Sequence, residues 1–108
     1  MIIAIDAEHA VRIEQPLDFK GFHVEIGAPR ADLAALRRAF SSYGAIESDE
    51  HAWIDADALR QWPSLAGNAE YQTGLGQMLD YAAGKGWMSP DGKCIRAHIV
   101  WSEKGAAG

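Results

Sequence analysis

Cysteine is nearly absent: Cys94 stands alone among 108 residues, so no disulfide can form within the chain. That fits a reducing, cytoplasmic setting. Basic residues are also in short supply. Ten Lys and Arg against fifteen Asp and Glu leave a formal net charge of −5. Nucleic-acid surfaces are usually basic, so no nucleic-acid partner is expected. Long hydrophobic runs are missing: nothing approaches the roughly 20 apolar residues of a membrane span. Met1–Ile5 is too short for a signal-peptide core and has no cationic lead. No basic amphipathic stretch suits a membrane surface either. Several chemistries lack their motifs. There is no HExxH or CxxC for metal and no G-x-S-x-G nucleophile elbow. A phosphate loop lies between a strand and a helix start, whereas Gly74-x-Gly76 falls inside a predicted helix and Gly84-x-Gly86 ends it.

What remains is an ordinary globular composition, 48% apolar and 23% charged, long enough for one modest core. Residues 1–101 are expected to form a single domain and 102–108 a flexible tail. Ile2–Asp6 and Ala10–Gln15 read as a hairpin, the second run alternating Val11 and Ile13 with Arg12 and Glu14. Phe22–Ile26 alternates again, with Phe22, Val24 and Ile26 inward and His23 and Glu25 outward. Pro29 suits a helix start, and Leu33, Leu36, Phe40 and Tyr43 make a stripe at helical spacing that Gly44 closes. Ala45–Ala56 holds another strand, with His51, Trp53 and Asp55 on one face and Ala52, Ile54 and Ala56 on the other. Asp57 can cap a short helical turn that Pro63 stops. Asn68 caps a long helix to Lys85, with Tyr71, Leu75, Met78, Leu79 and Ala82 in one stripe. Ser89-Pro90-Asp91-Gly92 forms a type I turn, and Cys94–Trp101 alternates as the last strand. This order predicts an α+β fold: a two-layer sandwich of four to five mostly antiparallel strands with two helices on one face, ferredoxin-like or dimeric α+β-barrel-like.

The sheet face opposite the helices then collects His23 and Glu25, His51 and Asp55, and Arg96 and His98. Any half-buried strand has a polar face, but these residue types are particular: three of the four histidines, two carboxylates, one arginine and no lysine. Solubility alone is usually met by lysine and glutamate. Arg96 is suited to hold a carboxylate or enolate oxygen. His98, His51 or His23 is suited to move a proton, with Glu25 or Asp55 orienting the ring and Trp53 stacking on the ligand. The expected partner is a small anionic or carbonyl-containing molecule, with no cofactor. The competing reading makes the same residues cross-strand pairs in a homodimer contact. A metal site from His23, Glu25, His51, Asp55 and His98 is a third reading, without the tight local spacing that would mark it. Cys94 shares the face of Arg96 and His98, and a lone cysteine usually behaves as a small hydrophobe. Four tryptophans, Trp53, Trp62, Trp87 and Trp101, are many for such a core, which predicts aromatic surface at a pocket or partner.

Phe22-His23-Val24-Glu25-Ile26-Gly27 followed by a helix closing at Gly44 resembles the opening unit of vicinal-oxygen-chelate, glyoxalase-like proteins. The resemblance implies a strand histidine and a glutamate as metal ligands. It covers about the first half of the chain and departs at Asn68–Lys85, a helix where that family has further strands.

Overall fold

Alternating burial builds the sheet seen in a computed structural model, which describes residues 1–102. The predicted tail from 103 onward lies outside the described residues. Six strands form: β1 (Ile2–Ile5), β2 (Val11–Glu14), β3 (His23–Ile26), β4 (Gly44–Ile46), β5 (His51–Asp55) and β6 (Cys94–Trp101). Val24 and Ile26 of β3, Ala52 and Ile54 of β5, and Ile95, Ala97 and Ile99 of β6 are all buried. Their neighbours along each strand are partly or fully exposed, because successive side chains leave a strand on opposite faces.

The helices cover the buried face. α1 (Leu33–Phe40), entered through a 3₁₀ turn at Arg30–Asp32, buries Leu36 and Phe40. α2 (Ala56–Arg60) is short and is capped by Asp55, whose carboxylate accepts from the Asp57 amide. α3 (Ala69–Gly84) begins at Asn68, whose side chain accepts from the Tyr71 amide, and buries Tyr71, Leu75, Met78, Leu79 and Ala82. These join the inward strand residues in one core, each large side chain contributing about 1.5–3 kcal/mol by leaving water.

The α+β class holds, and the finer expectation needs correction. The sheet has six strands in the order β2-β1-β3-β6-β5-β4 and is mixed: β1–β2, β4–β5 and β5–β6 are antiparallel, while β1–β3 and β3–β6 are parallel. Three α-helices form: the two long ones expected, and α2 where the short helical turn was expected, capped by Asp55 and not by Asp57. Neither the strand number nor the antiparallel, ferredoxin-like arrangement is what forms. The β1–β3 parallel pair arises because the 15–22 connection passes the end of β1 and sets β3 on the side away from β2. Gln15 and Gly21 both take positive φ in that connection. The extra strand arises because Ala45–Ala56 is not one strand: the Glu47 and Ser48 amides both donate to the His51 carbonyl, folding the segment into a tight hairpin. Gly44 therefore opens β4 and does not cap α1.

Candidate functional site

The face away from the helices is organised by β6, the longest strand at eight residues. Its parallel neighbour pairs His23 with His98, and its antiparallel neighbour pairs His51 with His98. Three histidines thus stand in one row across three adjacent strands. The His51 and His98 rings meet edge to face with centroids 5.5 Å apart. Among the described residues neither ring has a hydrogen-bonded protein partner, so their ring nitrogens are available to another molecule. His23 is engaged: its Nδ1 lies 2.7 Å from the Gly21 carbonyl oxygen and its Nε2 3.4 Å from Glu25 Oε2.

One step along β6, Arg96 stands opposite Trp53. Its guanidinium lies 5.9 Å from the Trp53 ring centroid and 3.2 Å from Glu47 Oε1. Glu47 Oε2 also accepts from Trp53 Nε1 at 3.2 Å, so one carboxylate ties the cation and the indole together. Both charged partners are exposed, and such a pair contributes about 0.2–1 kcal/mol. An incoming anion can therefore displace Glu47 at small cost.

A cleft of about 260 Å³ opens here, lined by Phe22, His51, Trp87, Arg96, Ala97 and His98. Its position follows from how β6 is flanked. On one side β3 begins its pairing at His98. From the other end the Trp87–Met88 segment pairs with β6 through an Ile95 bridge and an Arg96 amide donating to the Trp87 carbonyl at 2.8 Å. The two flanking segments separate beside Arg96 and Ala97, leaving Phe22 and Trp87 as opposing walls.

Of the predicted residues, His51, His98 and Arg96 come together at the cleft. His23 and Glu25 form a pair at the next strand. Trp53 is held on Arg96 and Glu47 and does not line the cleft; Trp87 takes the wall. Asp55 stands apart, four residues from His51 and so about 13 Å away along an extended strand. Its carboxylate caps α2, leaving it no part in orienting an imidazole. Glu47 and Phe22 were missed, and Trp87 stood only among the four tryptophans from which aromatic surface was expected. Glu47 follows β4 in a turn that no motif announces, Trp87 sits in a loop whose path is set by α3, and Phe22 is half-buried at the cleft where a core position was expected.

Cys94 lies beside Asp55. Burial first, then the nearby carboxylates of Asp55 and Asp91, raise its thiol pKa above the usual value, which favours the unreactive protonated form. Among the described residues no three His, Cys, Asp or Glu side chains form a group able to hold a metal ion. The histidines form a row, with His23 and His51 two strand spacings, roughly 10 Å, apart.

The fold and site define a small mixed-sheet α+β domain with an open histidine- and arginine-bearing face. Compared with known proteins, the chain matches no family model, no curated protein and no solved structure. No family is therefore assigned, and function is argued from the site alone.

Proposed function

We propose that this chain is a small-molecule binding domain that takes an anionic or carbonyl-bearing ligand in the cleft between Phe22 and Trp87. One observation carries the reading: Arg96 and the two unpartnered imidazoles of His51 and His98 face a single cavity. An arginine fork and neutral or charged imidazoles are donors matched to carboxylate and carbonyl oxygens. Glu47 acts as an internal surrogate for the anion, keeping Arg96 extended until ligand replaces it. Acid–base conversion of the bound molecule extends the proposal: His51 or His98 would move a proton at the cleft, beside the His23–Glu25 pair.

Calorimetric titration with small carboxylates, pyruvate and benzoate among them, tests this. Arg96→Gln should weaken binding at least tenfold, since hydrogen bonds to a charged group are worth roughly 1.5–3 kcal/mol. Glu47→Gln should strengthen it about two- to fivefold by removing the competitor. Affinities indifferent to both substitutions would remove Arg96 from the site and end the reading.

A second reading has its own support. Val100 lies on this face 42% exposed beside Glu25, and the half-buried Ile2 of β1 continues the face at the position paired with His23. A surface that mixes apolar and polar groups in this way suits a sheet-to-sheet homodimer.

A further inference from the structure

A second, larger cavity of about 580 Å³ runs along α3 and is walled by Phe19, Phe22, Met78, Tyr81 and Trp87. It shares Phe22, Trp87 and Arg96 with the polar cleft. The opening beside Ala97 thus has an ionic, imidazole-bearing mouth on one side and an apolar, aromatic groove on the other. A volume near 580 Å³ is ample for a drug-sized organic molecule. Tyr81 is 60% and Trp87 47% exposed, and their rings pack edge to face with centroids 5.8 Å apart. These two aromatics form a preset apolar rim that no part of the described chain covers. Gly74 shapes the groove floor. A Cβ there would meet the Phe19 ring at 2.1 Å, so the missing side chain is what lets Phe19 lie down on α3.

We infer that the ligand is an amphiphile, an alkyl or aryl carboxylate whose head sits on Arg96 and the His51–His98 pair and whose apolar body passes between Phe22 and Trp87 into the groove along α3. This rests on the binding reading above and adds the chemistry of the ligand's remainder. The polar cleft alone would favour the smallest anions. A cleft joined to an apolar groove favours anions with carbon to bury over both short carboxylates and long uncharged chains.

The test is a calorimetric series with the full chain and straight-chain carboxylates from propanoate to octanoate, with octanol as the uncharged control. Affinity should rise about fourfold per added methylene as the chain enters the groove, and octanoate should bind at least tenfold more tightly than octanol. Tyr81→Ala, at a position 60% exposed, should weaken octanoate several-fold and flatten the length dependence, with an unchanged circular dichroism spectrum showing that the variant folds. If propanoate and octanoate bind alike, and both still need Arg96, the groove is not part of the site; the anion reading survives and this inference is overturned. If octanol matches octanoate and Arg96→Gln changes neither, the head assignment is wrong and both readings fall. Absence of binding by every member at millimolar concentration overturns both as well.

Discussion

Tyr71 shows how one residue joins two elements. It is fully buried, and its hydroxyl donates to the Leu59 carbonyl at 2.8 Å, linking α3 to α2. Its amide is also the group that Asn68 caps. Burial pushes its pKa up to about 12 from 10.0, because the phenolate is poorly solvated there. A raised folded-state pKa means that the folded form holds its proton more tightly than the unfolded chain. The stability linked to Tyr71 is therefore complete below pH 10 and is lost as pH rises toward 12. Tyr71→Phe should lower stability at neutral pH by about 0.5–1.5 kcal/mol, the net contribution of one intramolecular hydrogen bond, since the Leu59 carbonyl keeps the Trp62 amide as a partner. It should also remove part of the stability loss between pH 10 and 12. Urea melts at pH 8 and pH 11 on both proteins decide this, and an identical alkaline loss in each would show that Tyr71 is not its source. Arg96 gives a contrasting case at the same scale. Its ion pair with Glu47 adds little to stability and matters because it can be exchanged.

At the scale of elements, the β4–β5 hairpin positions the site, since it carries Glu47, His51 and Trp53 to β6. The two strands approach closely at Gly44, where a Cβ would stand 1.9 Å from the Trp53 carbonyl oxygen and 2.9 Å from the Ile54 Cα. Backbone cannot yield there as a flexible side chain could. Gly44→Ala should cost about 1–3 kcal/mol, the range of overpacking, and should shift the amide resonances of Trp53 and Ile54 beyond those of other β5 residues. Thermal melting together with an amide correlation spectrum reads both, and an unchanged melting temperature would mean that the hairpin accommodates a methyl. Elements with strong local signals form where alternation and capping place them: α3 begins after Asn68, β6 spans Cys94–Trp101, and the Gly92 amide closes its turn onto the Ser89 carbonyl at 2.8 Å. The Ala45–Ala56 segment was legible only in its second half. Its first strand has three residues, too few to display a period.

For the whole molecule, the question is what meets the open face. A six-stranded sheet covered by helices on one side leaves the opposite side as a broad surface, and the expected homodimer would bring two such surfaces together. That pairing predicts a dimer at micromolar concentration that Val100→Glu converts to monomer, because the introduced charges would be buried without partners. Sedimentation velocity across a hundredfold concentration range is the check. A monomer throughout would leave the face to small ligands alone. No described helix is long and apolar enough to cross a membrane.

Local chemistry determined the inward and outward sides of every alternating strand, the start of α3, the turn before β6 and the association of His23, His51, His98 and Arg96 with one face. A period of two is written residue by residue and survives any tertiary arrangement that keeps the strand. Strand order and register depended on contacts distant in sequence. Only the assembled sheet put His23, His98 and His51 in one row, parted β3 from the Trp87–Met88 segment to open the cleft, and brought Glu47 to Arg96 from 49 positions away. The cap that takes Asp55 is local, two residues from the Asp57 amide, whereas the same assembly set Trp87 in the place expected of Trp53. Such outcomes turn on how loops close and which edges pair, and neither leaves a periodic signal in the chain.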